Sequence, residues 1–193
     1  MKKLLLASAS IRRKELLDQI GVQYQSAPMD IDESVQENEQ AADYVERLAR
    51  EKAQAGIMAN PDMVVLAADT TVVVAGNILG KPDDEQDARD MLGQLSGGIH
   101  QVLTGIAVAK RVDGELKIAS QVVLTNVFFS AISAQQIENY IQTGEPMGKA
   151  GAYGIQGKAA LFVDRIEGSY SNVVGLPLAE TGKLLEQYNV PLW

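Results

Sequence analysis

Residues 4–17 read LLLASASIRRKELL. An apolar run hands over to Ser8, Ser10, Arg12 and Arg13, and Leu16 and Leu17 then return at helical spacing. The chain therefore reads as a short buried strand over 3–8, a turn, and a helix over 11–20 that Gly21 ends. Three readings fit the junction: a secretion signal, an ordinary strand, turn and helix with a charged surface, or a grip for phosphate. The first fails on length. Met1-Lys2-Lys3 begins as a signal peptide does, but the apolar stretch stops at Ala7, and a signal needs roughly 7–15 apolar residues. Arg12, Arg13, Lys14 and Glu15 follow at once.

Outward from this junction, helices and strands alternate irregularly. Residues 22–38 are polar and acidic and read as a loop, with 29–33 near its turn. Residues 39–58 read as a long helix, and MVVLAADTTVVV (63–74) as a continuous apolar strand that contains Asp69, Thr70 and Thr71. Ala75-Gly76-Asn77 signals a hairpin. A helix over 84–95 leads to two strands, 100–110 and 116–130, joined at Asp113-Gly114. Ser133 is placed to cap a helix over 133–144 that Gly144 stops. A glycine-rich segment follows, and Pro177 opens a C-terminal helix. Such a pattern predicts an α/β fold with a mixed, partly antiparallel twisted sheet flanked by helices.

Composition narrows the function. With 193 residues, 46% hydrophobic and 22% charged, the chain can bury a core as one domain or two joined lobes, and disorder is disfavoured. The net charge of −8 argues against nucleic-acid partners, which call for a basic face. It leaves room for a small anionic ligand held by a local cationic cluster. No stretch approaches the ~18 apolar residues that span a membrane, so a cytoplasmic protein without membrane partners is expected. The absence of Cys excludes disulfides and thiolate metal sites. The one histidine, His100, excludes a design built on several histidines; it follows Gly97-Gly98 at a strand start and reads as structural. Trp193 is terminal and is not expected to stack a base.

The informative residues are charges on apolar faces. Arg13 shares the face of Leu16 and Leu17, and Lys52 lies four residues after Leu48 on the stripe of Val45, Leu48 and Ala55. Either side chain could lie along apolar surface and put its head in water. Asp69 is harder to accommodate, because an isolated carboxylate in a buried strand costs several kcal/mol. Pairing with a cation, binding a metal, or facing a cleft would each relieve that cost, as would a bulge capped by Asp69 and Thr70. At the junction itself, free N–H groups and the positive helix end favour an anion. Ser8 and Ser10 add hydroxyl donors, and Arg12 and Arg13 can contact phosphate oxygens in bidentate fashion. The stretch is neither a Walker loop nor Gly-x-Gly-x-x-Gly.

LLLASASIRRKELL, LAREKA, AADTTV, GKP, AGAYGIQG and SYSNVVGLPL stand in the order and spacing of the Maf family, which this chain resembles over essentially its whole length. Ile11 departs from the proline usual there, which would pre-set the first helical turn. The resemblance implies one Maf-like domain over 1–193, with a fold similar to inosine-triphosphate pyrophosphatases and a cleft between two lobes. Arg12-Arg13, Asp69-Thr70 and Gln156-Gly157 resemble the dTTP/UTP pyrophosphatase branch rather than the 7-methyl-GTP branch. Gln156 offers a donor and an acceptor, which suits the O4/N3 edge of thymine or uracil.

The implied chemistry is hydrolysis of a nucleoside triphosphate between its α- and β-phosphates, giving the monophosphate and pyrophosphate. Arg12, Arg13, Lys52 and Lys81 would take the triphosphate with Ser8 and Ser10, while Arg12, Thr70 and Gln156 set specificity. Asp69 would orient or deprotonate the attacking water, and Glu33 with Asp69 would hold a divalent metal, Mg²⁺ or Mn²⁺. Glu33 could equally be a solvated loop carboxylate beside Asp30 and Asp32. The resemblance further implies a homodimer and a housecleaning role in the nucleotide pool. The alternative is a nucleotide-binding regulator of septum formation and cell division without essential catalysis. An enzyme acting on modified pyrimidine nucleotides is a third reading.

Overall fold

A computed structural model describes residues 3–192; Trp193 lies outside the described residues, as do Met1 and Lys2. Strands β1 (Leu4–Leu6), β2 (Tyr24–Ser26), β3 (Val64–Val74), β4 (Asn77–Leu79), β5 (Ile99–Val112), β6 (Glu115–Phe129) and β7 (Val163–Glu167) form one sheet. Its order is β2-β1-β3-β5-β6-β7, with β4 paired to β3. β1 runs parallel to β2 and β3, whereas β3–β4 and β6–β7 are antiparallel. The sheet is therefore mixed, as the alternation of elements predicts. The helices are α1 (Ile11–Gln19), α2 (Ala41–Ala59), α3 (Glu85–Leu95), α4 (Ala134–Ile141), α5 (Tyr170–Val174) and α6 (Leu178–Gln187).

Local chemistry accounts for most boundaries. Ser10 caps α1 and Ser133 caps α4 with a full capping box closed by Gln136. Ala75-Gly76 and Asp113-Gly114 both have positive φ at two successive residues, the backbone of a tight hairpin turn. Three elements depart from expectation. The 22–38 loop contains β2, whose three residues are half-buried or exposed and so give no apolar signal. The glycine-rich segment contains two short 3₁₀ turns and β7, whose charged sequence VDRIE hides its pairing with β6. It is followed by α5, which is too short to show a period.

The chain divides into two units. The first comprises the described residues up to Asp69, Thr104–Val123 and those from Gly175 onward; the second comprises Thr70–Leu103 and Leu124–Val174. β3, β5 and β6 contribute residues to both. In the first unit, Leu5, Ala7, Val65, Ala67 and Ala107 meet Ala49, Ala53 and Ile57 of α2. Gly105 sets this approach: a Cβ there would lie 2.2 Å from the Val45 carbonyl oxygen, so only glycine lets α2 lie this close to β5. In the second unit, Met91, Leu92 and Leu95 of α3 pack with Phe129, Tyr140, Tyr153 and Phe162.

Candidate active site

The first unit gathers seven of the sequence-predicted residues: Ser8, Ser10, Arg12, Arg13, Glu33, Lys52 and Asp69. β1 ends at Leu6, which pairs with Leu66 of β3. Ser8 is two residues beyond Leu6 and Asp69 three beyond Leu66, so both follow the same end of the parallel pair. Carboxyl ends of parallel strands are where α/β sheets place ligands.

The turn after β1 is organised around the Ser8 hydroxyl. Its Oγ accepts from the Ser10 N–H at 3.2 Å and from Arg13 Nη1 at 3.3 Å, and a hydroxyl that accepts twice still carries a proton to donate. Ser10 Oγ accepts from the Arg13 N–H at 3.4 Å, which caps α1. Arg13 Nε donates to the Gly175 carbonyl at 2.8 Å, which ties the guanidinium to the segment before α6. Burial lowers the Arg13 pKa, opposed by the charge of Asp69; neighbouring Arg12 lowers it further and Glu33 raises it. Arginine stays charged through such a shift. Arg12 is half-buried beside it.

Helix α2 supplies the central cation. Its buried stripe is Val45, Leu48, Ala49, Lys52, Ala53, Gly56 and Ile57, an i, i+3, i+4 pattern that carries Lys52 to the sheet. Lys52 is buried, with 7% of the residue exposed. Its Nζ lies 2.7 Å from Asp69 Oδ1 and 2.6 Å from Glu33 Oε1. Of the ways to relieve a buried carboxylate, Asp69, itself 9% exposed, takes the ion pair. Glu33 stays half in solvent, with its side chain 46% exposed, yet it is not merely a solvated loop carboxylate. Its backbone carbonyl accepts from Tyr44 Oη at 3.0 Å. Burial, followed by the charges of Asp69 and Glu33, pushes the Tyr44 phenol up to about 12.

The remaining predicted residues belong to the second unit. Thr70 follows Asp69 in β3 and is half-buried, while Lys81 and Gln156 are exposed. Gln156 occupies a turn closed by the Gly157 N–H donating to the Gly154 carbonyl at 3.0 Å. His100 is buried, with Nε2 2.8 Å from Tyr153 Oη and its ring in a T-shaped contact with Phe129.

The donor set suits a hard divalent cation. Glu33 and Asp69 direct one oxygen each at a single positive centre, and Mg²⁺ is commonly held by one or two carboxylates together with substrate phosphates. Among the described residues no group of three or more His, Asp or Glu could hold a metal by itself.

A family model described as Maf-like protein matches residues 3–188. The chain belongs to the Maf family. The dTTP/UTP pyrophosphatase of Hahella chejuensis is 51% identical, covering 100% of this chain and 95% of that protein. The dTTP/UTP pyrophosphatase of Methylobacillus flagellatus is 53% identical, with coverage of 100% and 96%. Among solved structures, the Ham1 protein of Staphylococcus aureus matches with a TM-score of 0.51 at 15% identity, over 97% of this chain and all of that one. A HAM1 protein from Coxiella burnetii gives 0.52 at 15% identity with the same coverage. These two likenesses carry the fold alone. Among the described residues no helix is long and apolar enough to cross a membrane.

Glu145 is a residue that sequence reasoning missed. It sits just after Gly144, in the turn that follows α4, which ends at Ile141 rather than running to 144, and no periodicity marks it. Its carboxylate meets Tyr140 and the backbone of Lys158, which only the folded chain brings to it.

Proposed function

We propose that this Maf protein hydrolyses dTTP and UTP to the monophosphate and pyrophosphate. The observation that carries the reading is the ion triad of Lys52 with Asp69 and Glu33, in the same unit as the serine and arginine turn of α1. A buried carboxylate in a strand is expensive, and a catalytic role gives a reason to keep it. The naming of relatives at about half identity over their full length supports the same substrate class.

In this reading Ser8, Ser10, Arg12, Arg13, Lys52 and Lys81 neutralise the triphosphate. Asp69 accepts a proton from water as the water oxygen bonds to the α-phosphorus; the α–β bridging bond breaks and pyrophosphate leaves. Glu33 and Asp69 would hold Mg²⁺ or Mn²⁺, which supplies charge neutralisation at the phosphates when bound. Arg12, Thr70 and Gln156 select the base, with the Gln156 amide offering a donor and an acceptor to the pyrimidine edge. Modified pyrimidine nucleotides fall in the same class, since one methyl group discriminates by only ~1–3 kcal/mol. The proposal further takes residues 1–193 as one working domain, acting as a homodimer in the cytoplasm. The relatives, named dTTP/UTP pyrophosphatases, favour the enzyme over a regulator that only binds nucleotide.

The test is pyrophosphate release from dTTP, UTP, CTP, dATP, GTP and 7-methyl-GTP with Mg²⁺ or Mn²⁺. Release from dTTP and UTP is expected. Release from none of them, with nucleotide binding intact, would overturn the enzymatic reading.

A further inference from the structure

We propose that Glu145 is a positioning residue for base recognition: its carboxylate fixes the backbone on which Gln156 is presented. The inference rests on the reading of Gln156 as the residue that meets the pyrimidine.

Gln156 and Ile155 are the two central residues of the turn over 154–157. Immediately after the turn, Glu145 Oε2 accepts the Lys158 N–H at 3.1 Å, while Oε1 accepts from Tyr140 Oη at 3.0 Å. The carboxylate also lies flat against Gly157, where a Cβ would fall 2.1 Å from Oε1. Its side chain is 16% exposed. Burial pushes the carboxyl up, but the Lys158 N–H and the Tyr140 hydroxyl, with smaller help from the Ala159 N–H and Lys149, hold it below its ordinary value. Glu145 is thus a carboxylate on the backbone that directly follows Gln156.

The chain before the turn is held independently. Gly151 and Ala152 both lie in the left-handed region, with φ of 65° and 58°. The Gly151 N–H donates to the Gly80 carbonyl at 2.9 Å, and Tyr153 is tied to His100. Both ends of the Gln156 turn are therefore fixed while Gln156 itself is exposed. Such an arrangement pre-orders a polar side chain for a ligand. Of the two anchors, Glu145 is the nearer and the one that acts on Gly157 and Lys158 directly.

The experiment measures kcat and KM for UTP, dTTP and CTP in the full chain carrying Glu145→Ala, Glu145→Gln, Gly157→Ala or Tyr140→Phe. Glu145→Ala is expected to raise KM for UTP and dTTP about tenfold, to leave kcat within about threefold, and to shrink the preference for UTP over CTP. Glu145→Gln should recover most of that preference, because its amide oxygen can accept from Lys158 while its NH₂ donates to Tyr140. Tyr140→Phe keeps the Lys158 bond and should keep the preference. Gly157→Ala drives the carboxylate off the turn without removing its charge, and it should reproduce the alanine effect; it also serves should Glu145→Ala not fold. Wild-type preference in either Glu145→Ala or Gly157→Ala, or a loss confined to kcat, would overturn the proposal. A wild-type protein with no preference for UTP over CTP would instead overturn the substrate reading, and this inference with it, before any variant is made.

Discussion

Single residues here carry charge and protons in places where water cannot share the work. Lys52 offsets two carboxylates at once, and Arg13 is held by Ser8 and Gly175 rather than left to sample solvent. His100 shows the cost of such burial most plainly. Burial lowers its pKa to about 4 from the ordinary 6.5. As pH falls below 6.5 the unfolded chain binds a proton that the folded chain refuses, so stability is full above that value and declines toward pH 4. The decline attributable to this group is on the order of 3 kcal/mol. Urea unfolding at pH 7 and pH 4.5 should therefore show a larger loss in the wild type than in His100→Phe; equal losses would show that the ring titrates normally. At this scale the sequence was informative about position and silent about pairing. Lys52 stands on an apolar stripe, visible by period, and Asp69 in a continuous apolar run. Their ion pair joins a helix to a strand and required the fold. Glu145 gave no signal, since one carboxylate in a turn looks like any other until Gly157 is packed against it.

Elements position these residues through close backbone approach as much as through side-chain packing. α2 carries Lys52 and Tyr44, and its distance from β5 is set where Val45 meets Gly105. Gly105→Ala would place a methyl group 2.2 Å from a backbone oxygen, and no rotamer change can relieve that. The substitution is expected to cost about 3 kcal/mol or more, measured by chemical denaturation, and to reduce activity in the fraction that remains folded because Lys52 moves with its helix. A loss below about 0.5 kcal/mol, the range of neutral surface changes, would contradict this packing. Long elements, the periodic α2 and the apolar run of β3 above all, were legible in the sequence, as were the Ser133 cap of α4 and the hairpin turns. β2, β7 and α5 were not. Each is five residues or fewer, and the two strands are formed by pairing with neighbours rather than by a pattern of their own.

At the scale of the whole molecule, an acidic chain of net charge −8 is read as binding a polyanion. The apparent conflict resolves locally: Arg12 and Arg13 stand at the start of α1, where the helix end adds its own positive potential. Of the carboxylates whose charge reaches Arg13, Glu33 and Asp69, both pair with Lys52, which offsets one of their two negative charges. Family membership spans residues 3–188, so the motifs spaced along the sequence belong to one inherited design; their order made the family legible before any coordinate was known. The central claim is that Asp69 performs chemistry rather than balancing Lys52. It is tested most directly by measuring kcat and UTP affinity for Asp69→Asn beside the wild type. The account predicts that kcat falls about 10²–10⁴-fold, the range for losing a general base, while UTP still binds within about tenfold. An Asp69→Asn protein that turns over UTP at the wild-type rate would contradict it and reduce Asp69 to a structural partner of Lys52.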